Sequence, residues 1–176
     1  MNCASEFVEL DKAFHDRASF DCGESELNLF IQQQASRHME AGISTTMVLP
    51  ASDPLATGKY PICAFYTVTP SSVDRETITT SPKKKLPHYP IPVFLIAQMA
   101  VNSECQGRGV GKITLINALE YLWDINKKLR AYAVIVDCLN ISVEQFYAHY
   151  GFQKLCISGG RTRMFLPMKT VGMLFQ

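Results

Sequence analysis

Apolar residues recur along this chain with two kinds of spacing, one typical of strands and one typical of helices. Runs rich in β-branched and aromatic residues predict strands at residues 7–10, 43–49, 60–69, 94–101, 131–138, 152–158 and 163–168. Apolar residues three and four positions apart predict helices from residue 27 to 35, with an end at Gly42, and at residues 112–129 and 143–150. This alternation predicts an α/β (α+β) chain. Residues 70–92 are rich in proline and show no clear period.

The buried strand at residues 94–101 leads into a glycine-rich loop and then into a helix. The loop reads Gln106-Gly107-Arg108-Gly109-Val110-Gly111 and is followed by Lys112. N–H groups that converge in such a loop, together with the positive end of the helix dipole, make a site for an anion. A nucleotide P-loop is excluded because Lys112 is followed by Ile113. The dinucleotide fingerprint is also absent, because the glycines alternate. The alternative is a tight turn whose glycines only allow positive φ.

Length and composition narrow the class of protein. A chain of 176 residues with 47% hydrophobic and 19% charged residues is expected to form a single domain over residues 1–176. The net charge of +1 argues neither for nor against a nucleic-acid partner. The beginning of the chain lacks a secretory pattern and the apolar runs are too short to span a bilayer. We therefore expect a cytoplasmic protein with no membrane contact.

The spacing of cysteine and histidine along the sequence indicates no metal site. Six cysteines are scattered without a Cys-x-x-Cys pair, and the histidines form no ligand-like group. Cys63 and Cys138 lie in apolar runs, which favours a role as small core residues. The expectation from sequence is a protein without a bound metal.

Two signatures in this order resemble the Gcn5-related N-acetyltransferases. The first is Gln-x-x-Gly-x-Gly at residues 106–111, and the second is the segment with Asn140, Phe146, Tyr147 and Gly151-Phe152 after the strand at residues 131–138. The resemblance implies a mixed central sheet with splayed fourth and fifth strands, flanked by helices. It also implies acetyl-coenzyme A as co-substrate. The cofactor contacts that it implies are Met99, Ala100, Val101, Gln106, Gly107, Arg108, Gly109, Val110, Gly111, Lys112, Asn140 and Phe146.

A narrower resemblance concerns both ends of the chain. Phe20-Asp21-Cys22-Gly23, the segment at residues 27–30 and the segment at residues 165–170 are similar to acetyltransferase toxins of bacterial toxin–antitoxin pairs. Such toxins acetylate the α-amine of aminoacyl-tRNA and block translation. This resemblance implies an aminoacyl-tRNA substrate, a ribbon-helix-helix antitoxin and a homodimer. Gln98 departs from it, because many of these toxins carry arginine there.

Tyr147 is the candidate catalytic residue, as the general acid that protonates the departing thiolate. A phenol with a pKa of about 10 is neutral at pH 7 and can donate a proton. The alternative is an amphipathic tyrosine at a contact between helix and sheet. Residues 94–101 contain no aspartate or glutamate that would act as base, although Asp137, Glu144 or a water chain remain candidates. An α-amine with a pKa of about 8 needs such a base less than lysine does.

Two basic clusters are candidates for contact with RNA phosphates. One consists of Lys83, Lys84 and Lys85, close to His88 and Tyr89, and the other of Arg161 and Arg163. Phosphate contacts by such side chains give an affinity that falls with salt. The alternative is ordinary solvated surface charge.

Other functions remain open at this stage. An acetyltransferase acting on a protein N-terminus, a lysine or a small amine would need no nucleic acid. A non-catalytic regulator that binds acyl-coenzyme A or nucleic acid would not depend on Tyr147.

Overall fold

The computed structural model describes residues 1–78 and 85–176. Its strands are β1 (Val8–Glu9), β2 (His15–Asp16), β3 (Thr45–Pro50), β4 (Tyr60–Val73), β5 (Ile91–Val101), β6 (Ala133–Cys138), β7 (Gln153–Ser158) and β8 (Arg161–Pro167). Its helices are α1 (Ser25–Leu29), α2 (Ala35–Glu40), α3 (Val110–Asn126), α4 (Ile141–His149) and α5 (Met168–Leu174). A π-helical turn, Phe30–Gln34, joins α1 to α2, and short 3-10 turns cover Arg75–Thr77 and Ser103–Cys105.

The eight strands form a mixed sheet. Neighbouring strands follow the order β1-β3-β4-β5-β6-β8-β7, and β2 pairs with β4 beside this path. β5 and β6 are parallel, whereas β6 with β8 and β7 with β8 are antiparallel. The predicted mixed sheet with flanking helices is confirmed. By their contacts, the residues divide into two compact units, Met1–Thr69 with Ala97–Ala118 and Pro70–Ile96 with Leu119–Gln176.

In the first unit, the apolar face of α1, the π-helical turn and α2 packs on aromatic residues of the sheet. Phe20 and Phe30 lie against Phe65, with ring centroids 5.3 and 6.3 Å away. Ile31 and Ala35 are completely buried in the same cluster. The π-helical turn divides what the sequence predicts as one helix, and Gln32 Nε2 in this turn donates to the Phe20 carbonyl over 2.9 Å. Gly42, with φ +73°, lies just beyond the helix end, as predicted.

In the second unit, β6 and β8 supply the centre of the core. Ala133, Ile135 and Phe165 pack with apolar residues from β4 and β5. The C-terminal helix α5 is fixed by a close approach, since a Cβ atom at Gly172 would lie 2.6 Å from the Trp123 ring. A side chain at this position would displace the indole.

Some elements differ from their predicted bounds. β4 continues through Pro70 to Val73. Its pairing with β3 ends at Val68, so no hydrogen bond to β3 requires an N–H group at Pro70. The sequence did not predict β2 or α5, which are too short to show a period. No helix among the described residues is both long and apolar enough to cross a membrane.

Candidate active site

The glycine loop has the backbone that an anion site requires. Gly107 and Gly109 adopt φ +74° and +78°, a region that favours glycine. A Cβ atom at either position would meet nothing within 4 Å, so these glycines serve the turn and leave open space beside it. α3 begins at Val110, and the Ile113 N–H donates to the Gly109 carbonyl. The N–H groups before Ile113 therefore point out of the helix end.

Side chains of the first unit hold this loop in place. Gln106 Nε2 donates to the carbonyls of Val101 and Cys22 over 2.9 and 3.1 Å. Arg108 Nη1 donates to the Met1 carbonyl over 2.8 Å. The Gln106 side chain thus holds the loop to the residues around it, and residues 106–109 are exposed. The Lys112 side chain is exposed.

A buried asparagine, which the sequence analysis did not single out, orders the approach to the loop. Asn102 Oδ1 accepts from the Glu104 N–H over 3.1 Å, and its Nδ2 donates to the Ile62 carbonyl over 3.1 Å. Asn102 is the N-cap of the 3-10 turn before Gln106. The sequence signal was available, since asparagine directly after a strand is a common cap.

The end of β5 carries the residues expected to contact pantetheine. β5 pairs with β6 from Phe94 to Ile96, while β5 itself continues to Val101. Ala100 is buried in the apolar core, Val101 is half-buried against it, and Met99 is half-buried. The backbone groups of these residues lie beyond the described β5–β6 register.

The second unit carries Tyr147 near the C-terminal end of α4. The Tyr147 side chain is 6% exposed, and its ring lies 5.2 Å from the rings of Phe146 and Phe152. The Phe152 N–H donates to the Tyr147 carbonyl, and Gly151 makes this turn at φ +93°. The chain reversal at Gly151 therefore fixes the phenol within an aromatic cluster.

Burial also sets the protonation state of this phenol. It raises the pKa of Tyr147 well above the usual range of a tyrosine, and the nearby Cys138 thiol acts in the same direction. Burial, with the charges of Glu144 and Asp137, raises the pKa of Cys138 to about 11. Both groups are therefore protonated at neutral pH, and Tyr147 retains the proton that a general acid must donate.

Asn140 has a structural task in addition to its predicted cofactor contact. Its Oδ1 accepts from the Val143 N–H over 3.0 Å, which makes Asn140 the N-cap of α4. Ser142 and Gln145 have the sequence spacing of a capping box, but α4 begins at Ile141, so Ser142 lies inside the helix and Asn140 is the cap instead. The side-chain NH₂ of Asn140 is the part that faces away from this bond, and the residue is exposed.

The basic residues predicted to contact RNA have different surroundings. Lys83 and Lys84 lie outside the described residues, and Lys85 is exposed. Arg163 makes two bonds to the Asp137 carboxylate, of 2.7 and 2.9 Å, from neighbouring strands. This pairing raises the pKa of Arg163 and occupies the Asp137 carboxylate, which the sequence analysis considered as a base. Arg161 is half-buried.

Sequence comparison finds a matching family model and relatives that align with most of this chain. The model of the Acetyltransferase (GNAT) family matches residues 83–152. A "Probable toxin TacT" of Sinorhizobium fredii is 26% identical over 170 residues, which cover 92% of this chain and 90% of that protein. A "tRNA-acetylating toxin" of Mycobacterium tuberculosis is 26% identical over 139 residues and 78% of each chain.

Solved structures agree with the fold along almost the whole chain. The structure of AtaT complexed with acetyl-methionyl-tRNAfMet has a TM-score of 0.86 and 26% identity, covering 97% of this chain and 99% of that one. AtaTR bound with AcCoA has a TM-score of 0.83 and 26% identity, covering 97% and 98%. An AtaT mutant bound to the C-terminus of the antitoxin AtaR, at 22% identity, has a TM-score of 0.80 over 97% and 98%.

The mixed sheet and the glycine loop at the beginning of α3 define the class of this protein, which is an N-acetyltransferase. More narrowly, the chain is similar to the Acetyltransferase (GNAT) family, whose model matches it over residues 83–152. The predicted resemblance to this family is therefore confirmed. The roles of individual site residues stay predictions.

Proposed function

We propose that this chain transfers the acetyl group of acetyl-coenzyme A to the α-amino group of an aminoacyl-tRNA, and that it acts as the toxin of a toxin–antitoxin pair. The observation that carries the proposal is the exposed loop at residues 106–109, with positive φ at Gly107 and Gly109, and the N-terminus of α3 directly after it at Val110. The sequence relatives named as toxins and as a tRNA-acetylating enzyme support the acceptor.

The residues of the first unit fit the donor molecule. Acetyl-coenzyme A supplies a pyrophosphate, a pantetheine arm with two amides and a reactive thioester. The N–H groups at the beginning of α3 suit the pyrophosphate, because they are aligned and carry the positive end of the helix dipole. Lys112 and the Arg108 side chain add positive charge at the same loop. The backbone of Met99, Ala100 and Val101 offers amide partners for pantetheine. In the second unit, Phe146 and Asn140 are the cofactor contacts that the family resemblance implies.

The chemistry of the acceptor fits a protein that lacks a dedicated base at β5. Near pH 7.4, roughly a fifth of an α-amine with a pKa of about 8 is neutral, against about one part in a thousand for a lysine side chain. The neutral amine attacks the thioester carbonyl, and a backbone N–H of residues 99–101 donates a hydrogen bond to the developing oxyanion. Tyr147 then gives its proton to the departing sulfur. Glu144 and ordered water remain candidates for receiving the amine proton.

A toxin of this kind needs a protein that restrains it. The proposed partner is a ribbon-helix-helix antitoxin. The proposed assembly is a homodimer in which each chain forms a single domain. The antitoxin complex of the structural neighbour AtaT is consistent with such a partner. Gene order offers an inexpensive test, since an adjacent reading frame for a ribbon-helix-helix protein would support the pairing.

The decisive experiment identifies the acceptor. Purified protein is incubated with labelled acetyl-coenzyme A and total charged tRNA, and the labelled aminoacyl species are separated after mild alkaline hydrolysis of the ester. We expect label on one or a few amino acids released from tRNA. Deacylated tRNA and free amino acids are the controls and should stay unlabelled. Label on proteins or on small amines, with none on charged tRNA, would exclude the tRNA acceptor.

A further inference from the structure

Three cysteine thiols from separate segments of the chain converge within the first unit. The Sγ atoms of Cys3, Cys63 and Cys105 lie within 4.8 Å of one another, and those of Cys3 and Cys105 are 3.9 Å apart. Cys63 and Cys105 are completely buried and Cys3 is half-buried. Among the described residues, this is the one group of three cysteine, histidine or acidic side chains whose ligand atoms lie so close together.

A fourth sulfur atom lies beside this cluster. The Met1 Sδ is 3.5 Å from the Cys63 Sγ, and Met1 is half-buried against the same apolar core. Cysteine and methionine are soft ligands that favour soft metal ions, above all Cu⁺, and methionine is not a usual ligand of Zn²⁺. Three thiols and one thioether thus form a donor set made of sulfur.

The distances suit a metal ion at the centre of the thiols. Three points no more than 4.8 Å apart always have a point within about 2.8 Å (4.8/√3) of each of them, and metal–thiolate bonds are about 2.3 Å long. Each Sγ atom would need to move by no more than about 0.5 Å, which is within the reach of a small χ1 rotation.

The backbone of each segment is already fixed by main-chain hydrogen bonds. Cys3 forms an antiparallel bridge with Ala51. The Cys63 carbonyl accepts from the Asn102 N–H, and the Cys105 N–H donates to the Asn102 carbonyl, both over 2.8 Å. Asn102 therefore connects the two buried cysteines directly. A site held in this way loses little conformational freedom when an ion binds.

We propose that Cys3, Cys63 and Cys105 bind one Cu⁺ ion, with the Met1 thioether as a weak fourth ligand. Three S–H bonds break and release three protons to solvent, three Cu–S bonds form, and copper enters and remains as Cu⁺, so no electron is transferred. The resulting negative charge lies near the Arg108 guanidinium, which donates to the Met1 carbonyl over 2.8 Å and to the Glu104 carbonyl over 3.4 Å.

This site would also connect metal binding to the glycine loop, a consequence that rests on the proposed function. Cys105 directly precedes Gln106, and Arg108 ties the loop to the Met1 segment. A bound ion would restrain both ends of this connection. We therefore expect the affinity for acetyl-coenzyme A to differ between copper-loaded and copper-free protein.

The test measures copper binding without any acetyl donor. Reduced protein is titrated with Cu⁺ under anaerobic conditions against a chromogenic Cu⁺ chelator, and the loaded protein is studied by X-ray absorption. We expect one equivalent per chain, a first shell of sulfur at about 2.3 Å, and a rise in melting temperature on loading. Cys3→Ser should weaken Cu⁺ binding at least about 100-fold and abolish the rise.

Cys156→Ser is the matched control, because Cys156 is half-buried like Cys3 but lies in β7, outside the cluster. It should bind copper like the unchanged protein. Equal melting temperatures of all copper-free variants show that each is folded, and Cys3→Ala replaces Cys3→Ser if that variant melts early. Failure to hold Cu⁺ against the chelator, equal binding by Cys3→Ser, or a preference for Zn²⁺ over Cu⁺ would each overturn the proposal. None of these outcomes bears on acetyl transfer.

Discussion

Tyr147 is the residue whose chemistry depends most directly on its surroundings. The aromatic rings of Phe146 and Phe152 and the end of α4 remove it from water, which favours the neutral phenol. A neutral phenol is useful as an acid and useless as a base at neutral pH. Its burial therefore supports the role that the sequence analysis predicted.

Replacement of Tyr147 by phenylalanine tests this role. We expect Tyr147→Phe to lower kcat by about 100-fold or more, the usual contribution of a general acid, with a change of less than about threefold in the Kd for acetyl-coenzyme A measured by calorimetry. Because burial raises the pKa of Tyr147, the activity of the unchanged protein should show no loss from phenol ionisation between pH 7 and 9. An unchanged kcat would show that Tyr147 is not the general acid.

Asn140 allows its two roles to be separated by a pair of substitutions. Asn140→Ala removes the cap and should lower the free energy of unfolding by about 1 kcal/mol, as measured by urea denaturation. Asn140→Asp keeps an oxygen that can accept from the Val143 N–H but removes the NH₂ donor. If Asn140 contacts pantetheine, the aspartate variant should be stable and bind acetyl-coenzyme A several-fold more weakly. Unchanged binding by this variant would leave Asn140 with the cap alone.

At the scale of elements, the glycine loop combines a left-handed backbone with an open surface. Gly109 and Gly160 share φ +78°, and at both positions a Cβ atom would meet nothing within 4 Å. Gly160 lies in the turn between β7 and β8. The two positions are therefore matched in backbone conformation and differ in the element they serve.

This match gives a controlled test of the anion site. Gly109→Ala and Gly160→Ala should each lower the free energy of unfolding by about 1–2 kcal/mol, because alanine is strained at this φ. Only Gly109→Ala should raise the Kd for acetyl-coenzyme A, by about tenfold or more, since it disturbs the N–H groups before α3. Equal effects of both substitutions on this Kd would argue that the loop is a structural turn.

The parts of the fold that could be predicted are those that depend on residues close together in the sequence. The loop at residues 106–112 could be read from three glycines and the helix behind them, and Gly151 from its place after an apolar helix. The pairing of Arg163 with Asp137 depends on the antiparallel register of β6 and β8, which no local pattern encodes. The meeting of Cys3 with Cys63 and Cys105 likewise joins positions far apart in the chain, so their spacing gave no sign of it.

At the scale of the whole molecule, a net charge of +1 means that affinity for tRNA must come from local basic surface. The proposed surface contains Lys83, Lys84 and Lys85. Reversal of all three to glutamate should weaken tRNA binding. It should also make the slope of log K against log salt less steep, by the amount that up to about three lost phosphate contacts would cause. Binding measured from 50 to 300 mM salt by filter retention or anisotropy tests this expectation.

The matched control reverses three other cations. Lys127, Lys128 and Arg130 are exposed beyond the end of α3, and their replacement by glutamate changes the net charge by the same amount. This variant should show only the small, general loss that comes from net charge. If both triple variants lose affinity to the same extent, the lysine triplet is ordinary solvated charge.

Trp123 is the single tryptophan of the chain, and its ring is seated on Gly172 of α5. Its emission should shift to longer wavelength when the C-terminal helix detaches, because an indole that is now half-buried would then be more exposed to water. The protein thus carries an internal optical reporter of the docking of its last helix. The reporter requires no label, and its emission can be recorded during a titration with nucleotide, metal or antitoxin.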